Sequence, residues 1–156
     1  MRGLPLVGLA ALVLAGCSAP APTPAPVKLD DLDLTPYMGK PCSLFDADQL
    51  SDLGLTRPVE RPEQPNLSVC VLSAKDPGAF GAIVHLETRA TAPKTDDHTK
   101  VAGYPALERP GPKDCTVWVV VADHQRLMAE TRGDNACHSA ENVATSAIAT
   151  IKRQNP

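Results

Sequence analysis

The side chains with the widest chemical scope in this 156-residue chain are four histidines, five cysteines and one tryptophan. His85, His98, His124 and His138 stand in four different settings, and no two have the spacing that would set both rings on one metal ion. Asp96-Asp97-His98 has the residue types of a hard-metal site, but a polar stretch between two apolar runs reads as a solvated loop. His138-Ser139 pairs a base with a hydroxyl. Adjacent residues of a helix point in different directions, however, and no Gly-x-Ser-x-Gly elbow occurs. There is no glycine-rich phosphate loop, and only five aromatic residues are available for stacking on bases or sugars. The nucleophile, base and oxyanion roles find no set of residues, so no enzyme, no metal and no cofactor is expected.

The cysteines carry more. Arg2 is followed by an apolar run from Leu4 to Ala15, broken only by Pro5 and Gly8, which is the pattern of a secretory signal and too short to span a bilayer. Leu14-Ala15-Gly16-Cys17 closes that run and resembles the bacterial lipobox. The resemblance implies cleavage before Cys17 and a diacylglyceryl group on its thiol. Two or more acyl chains of the palmitate type suffice for stable attachment to a membrane, where one is marginal. Residues 1–16 are thus expected to be a signal peptide.

Residues 17–36 then form the lipidated start and a stalk. Ser18 to Pro26 alternates proline with small residues, which fixes φ and removes donors, so an extended polyproline spacer of roughly 30 Å is expected. Asp30, Asp31 and Asp33 lie among Leu29, Leu32 and Leu34 without the spacing of a calcium loop, and read as a solvated lead-in. Residues 37–156 are left for a single domain. Without Arg2 there are 14 cations against 18 acids, a net charge near −4, which argues against nucleic acid and against anionic lipid as electrostatic partners.

Cys42, Cys70, Cys115 and Cys137 remain, an even number in a chain expected to be exported, hence two disulfides. Three pairings are possible. Cys42–Cys70 and Cys115–Cys137 are favoured because each joins the edge of a predicted helix to a nearby predicted strand. On the chain-entropy model each loop contributes about 3.5 kcal/mol.

The elements that position these residues follow from periodicity and punctuation. Asp46 and Gln49 form a capping box for a short helix with Leu50 and Leu53 on its apolar face, and Gly54 suits its end. Pro58, Pro62 and Pro65 mark an irregular or edge segment. Leu67 to Ser73 and Ala82 to Arg89 read as a hairpin about Asp76-Pro77-Gly78. Val101 to Arg109 is a strand interrupted at Gly103 and Pro105, Cys115 to Val121 is the most strand-like run, and Arg126 to Arg132 follows a turn. Gly133-Asp134-Asn135 then starts a helix in which Ala140, Val143, Ala144, Ala147, Ile148 and Ile151 recur at helical spacing. Strands in series with helices at both ends predict an α+β fold. Its antiparallel sheet should have about five or six strands, with a short N-terminal helix and a C-terminal helix packed on it.

Trp118 is the one residue singled out for ligand contact. If Cys115 faces the last helix, so do Val117, Val119 and Val121, and Trp118 points to the other side. There it is expected either beneath the first helix, as core, or facing a ligand, with core favoured.

Pro41-Cys42-x-Leu44, Gly54-Leu55, Cys70, Gly103-x-Pro105-Ala106, Cys115-x-Val117-x-Val119 and Cys137-x-x-Ala140 together resemble a family of small actinobacterial cell-envelope lipoproteins, a domain of unknown function. Leu72 stands where that pattern has Trp. The resemblance implies an exported, lipid-anchored, disulfide-bonded domain on the outer side of the cell membrane. More distantly, the element order resembles the Mog1/PsbP-like sandwich, used mostly for binding. The expectation for function is a binding or accessory module, touching another envelope protein; the alternatives are a carrier of a small apolar ligand such as a lipid and, behind it, an envelope enzyme.

Overall fold

A computed structural model describes residues 29–61, 64–91 and 99–154. Cys17, the polyproline stalk and Asp96-Asp97-His98 lie outside the described residues. Among the described residues no helix is long and apolar enough to cross a membrane.

Asp46 accepts from the backbone N–H of Gln49 while the Gln49 side chain accepts from that of Asp46, and this capping box opens helix α1, Ala47–Asp52. Gly54, at φ +65°, ends it in the left-handed conformation that glycine adopts without strain. Seven strands follow: β1 Leu55–Glu60, β2 Leu67–Ala74, β3 Ala82–Glu87, β4 Thr99–Val101, β5 Tyr104–Pro110, β6 Asp114–Ala122 and β7 Gln125–Arg132. Helix α2, Ala136–Gln154, closes the chain. All neighbours are antiparallel, in the order β1-β2-β3-β7-β6-β5-β4.

The sheet has more strands than the expected five or six for two local reasons. Ala102 and Gly103 both take positive φ and fold the expected Val101–Arg109 strand into the β4–β5 hairpin. The proline-marked segment does pair, but only as edge strand β1, whose register slips between Thr56 and Val59, where Arg57 takes φ +45° and Pro58 has no N–H to give.

The core lies between α2 and one face of the sheet. Ala140, Val143, Ala144, Ala147, Ile148 and Ile151 meet Val84, Leu86, Val117, Val119, Leu127 and Ala129, all nearly or fully buried. The face is set by the alternation in β6, in which Cys115, Val117, Val119 and Val121 are buried while Thr116, Trp118 and Val120 are half-exposed. Cys42–Cys70 ties the 3-10 turn Pro41–Leu44 to β2, and Cys115–Cys137 ties β6 to α2, the pairing favoured from sequence.

Two expectations are corrected. Helix α1 is not on the far side beneath Trp118. It lies on the same face as α2, where the Gln49 amide donates to the Ser146 carbonyl, the Ser146 hydroxyl and Thr150 Oγ1 at 2.8 to 3.0 Å. Both helices therefore cover one face of the sheet. Nor is the acidic lead-in merely solvated: Leu32 and Leu34 are buried, the Leu32 N–H donates to the Val121 carbonyl at 2.9 Å, and the Leu34 N–H donates to Gln125 Oε1 at 2.6 Å. Leucines alternating with aspartates put the apolar residues on one side of an extended segment, which extends the core past the end of β6.

Candidate functional site: an open, apolar sheet face

The face away from the helices is organised by register. Val69 lies opposite His85, His85 opposite Met128, Met128 opposite Trp118 and Trp118 opposite Leu107, so these five side chains form one row across β2, β3, β7, β6 and β5. All five are half-exposed. Four strand spacings make the row about 19 Å long. On one side of it run Val59, Val71, Ile83, Glu130, Thr116 and Arg109; on the other, Leu67, Glu87, Arg126 and Val120. Val59, at the β1 end, is 51% exposed. An antiparallel sheet with one wet face normally alternates apolar-in with polar-out. Here Val69, Val71, Ile83, Leu107, Trp118, Val120 and Met128 break that alternation.

The charges on this face are matched to one another. Arg126 Nε donates to Glu87 Oε2 at 3.0 Å, and its Nη2 donates to the same oxygen. Arg132 lies 3.5 Å from Glu130. The Arg109 guanidinium stands over the Trp118 ring, 4.8 Å from its centroid, held by attraction of a cation to the negative ring face. His85, second in the row, has its pKa below the ordinary 6.5: partial burial favours the neutral ring, and the carboxylates of Glu87 and Glu130 offset that only in part. At neutral pH the row carries no charge of its own.

Trp118 is thus not core under a helix. Of four surface depressions, with volumes of about 520, 280, 170 and 420 Å³, Trp118 lines none. Among the described residues every buried side-chain nitrogen or oxygen has a hydrogen-bond partner, so the interior offers no unpaired polar group to a ligand.

The other residues weighed from sequence stay apart. His124 is in the β6–β7 turn near Asp123 at 3.5 Å, and His138 is on the exposed side of α2, 4.0 Å from Glu141. The Cys115 and Cys137 sulfurs and a Glu108 carboxylate oxygen do lie within 4.8 Å of one another, but with both sulfurs in a disulfide they leave a metal ion one carboxylate. Sequence reading found Trp118 but missed Met128, Leu107, Val69 and Arg109 beside it. The available signal was that β2 and β6 are apolar in both registers, which a half-solvated strand does not need.

A family model described as a protein of unknown function, DUF3558, matches residues 12–150. No curated protein and no solved structure matches the chain significantly.

Proposed function

The chain belongs to the DUF3558 family, and we propose that it is a lipid-anchored docking module of the bacterial cell envelope, with no catalytic activity, whose Trp118 face receives an apolar strip of a second envelope protein. The observation that carries this reading is the half-exposed row Val69–His85–Met128–Trp118–Leu107, largely apolar on a face that no helix among the described residues covers. Tryptophan, methionine and arginine are the residues enriched where protein interfaces draw their affinity, and Trp118, Met128 and Arg109 stand together here. Because the flanking acids and bases are already paired, the surface favours a partner of low local charge over a polyanion or polycation.

A small apolar ligand, the alternative from sequence, needs a concave site that buries most of its surface, and a flat row of side chains does not supply one. The location is carried by the lipobox resemblance at Cys17 and the likeness to actinobacterial envelope lipoproteins. An anchor at Cys17 and a proline-rich spacer would hold the domain off the lipid headgroups on the outer side of the cell membrane, free to meet a neighbour.

Oxidation of Met128 by peroxide tests the reading. Met38 is the internal reference, since it is the only other methionine beyond the expected signal. Met128 should oxidise several-fold more slowly in native membranes than in the purified, detergent-released protein, and Trp118→Asp should abolish the protection. Equal rates in membranes and in detergent would overturn the docking reading. Protection of the purified protein by protein-free vesicles of envelope lipids would also overturn it, in favour of a lipid-binding face.

A further inference from the structure

The Cys115–Cys137 disulfide differs from Cys42–Cys70 in three respects that concern reactivity. Cys137 is the second residue of α2, a helix of 19 residues, so a thiolate there would meet free backbone N–H groups and the positive end of the helix dipole. Like Cys42 it is half-buried beside a fully buried partner, but with Lys113, Asp134, Asn135 and His138 it lines a surface depression of about 520 Å³ that Cys42 does not line. Glu108, on β5, brings a carboxyl oxygen within 4.8 Å of both sulfurs. Among the described residues no comparable carboxyl or imidazole stands at the Cys42–Cys70 sulfurs.

We propose that Cys115–Cys137 is an exchangeable disulfide, at which an external dithiol reductant attacks Cys137 from the depression and Glu108 protonates the departing sulfur of Cys115. The incoming thiolate forms a bond to Cys137 Sγ as the Sγ–Sγ bond breaks, and the electron pair leaves on Cys115 Sγ. Burial makes a bare thiolate at Cys115 costly, so that sulfur needs a proton. The nearby carboxyl gives it and becomes a carboxylate. The second thiolate of the reductant then attacks its own sulfur in the mixed disulfide and releases Cys137 as a thiolate at the helix N-terminus. Two electrons have passed from the dithiol, now a disulfide, to Cys115 and Cys137.

Glu108 is suited to hold a proton. Its side chain hydrogen-bonds to Glu141 on α2, and that contact, together with partial burial and the Glu141 charge, raises its pKa above 4.5. Among the described residues the other charged groups at this end are His138 on α2, 4.0 Å from Glu141, Asp134 before α2, and Lys113 and Asp114 at the turn into β6, while Arg109 is turned to the Trp118 face. The site is independent of the docking face, since it lies on the helix side of the sheet.

The test is graded reduction of the folded chain with dithiothreitol between pH 5.5 and 9, trapping free thiols with a maleimide and mapping the peptides. Cys115–Cys137 is expected to open first, with circular dichroism unchanged, at a rate per thiolate that falls as Glu108 ionises. Glu108→Gln should slow it on the order of a hundredfold at low pH, the lower range of a general-acid effect, and flatten the profile. Glu141→Gln keeps the proton donor and should move the falling limb to lower pH. Opening of Cys42–Cys70 first, opening of both bridges only on unfolding, or an unchanged profile in either variant would overturn the proposal.

Discussion

At the scale of single residues, Trp118 separates a surface role from a core role. A fully buried tryptophan cut back to alanine costs about 3 to 5 kcal/mol. Trp118 is half-exposed and is contacted on its outer side by Arg109, so Trp118→Ala is expected to lower stability by only about 1 to 2 kcal/mol, including the roughly 0.5 to 1 of the cation–π contact. Chemical denaturation measures this, and the fluorescence of the only tryptophan should be quenched by acrylamide in the free protein. His85 supplies a pH handle on the same row. Its pKa is lowered by burial, so the fold favours the neutral ring. The stability this gives is fully present above the unfolded value of 6.5 and is lost as pH falls through the lower folded value. Between pH 7 and 5 the melting temperature of the native protein should therefore fall further than that of His85→Gln, and the His85 ring should titrate below 6.5 by NMR. Equal slopes in the two proteins would show the ring to be fully solvated.

At the scale of elements, the contact between β5 and α2 contains a pair of acids where complementary charges would hold better. The neighbouring Glu141 and partial burial both raise the pKa of Glu108. Here the sign is opposite to that of a salt-bridged carboxylate: the folded state binds the proton more tightly, so the stabilisation is fully present below the unfolded pKa of 4.5 and is lost as pH rises through the folded value. Glu108→Gln keeps a hydrogen bond to Glu141 without the ionisation, and is expected to be the more stable protein at pH 7 and to lose that advantage below 4.5. The disulfides are the other ties between elements. Removing either should cost about 2 to 5 kcal/mol, which serine pairs at Cys42/Cys70 and at Cys115/Cys137 would show separately. The elements were legible from sequence where a local rule decides them: the capping box at Asp46 and Gln49, the left-handed Gly54, the hairpin after Ala74, the helical spacing from Ala140 to Ile151. They were not legible where a tertiary contact decides. Nothing local shows that Gln49 reaches across to Ser146 and Thr150, which sets α1 on the same face as α2, or that Glu108 meets Glu141, which lies 33 positions on in the chain.

At the scale of the whole molecule, the one-sided cover follows from the chain order. The last strand, β7, is inserted at the centre between β3 and β6, and α2 leaves from its end to cross the inner face. The short α1 is drawn to that same side by the Cys42–Cys70 bridge and Gln49, so among the described residues no element covers the outer face. From sequence the direction of Trp118 was readable by alternation, but the emptiness of its side was not, because it depends on where α1 docks. An uncovered apolar face is a liability for a freely diffusing protein, prone to self-association through its exposed residues. The proposed lipid anchor would change that balance by confining the domain to one surface, where a partner held in the same membrane is met at a high effective concentration. The proposal therefore makes a linked prediction about Cys17 and Met128. Cys17→Ser is expected to abolish fatty-acid labelling and either release the protein or leave its precursor uncut. In the released form Met128 should then oxidise at the rate of the purified domain, although the face itself is unaltered. If the released protein keeps Met128 as protected as the membrane-held one, docking does not depend on the anchor, and the affinity must be carried by the Val69–Leu107 row alone.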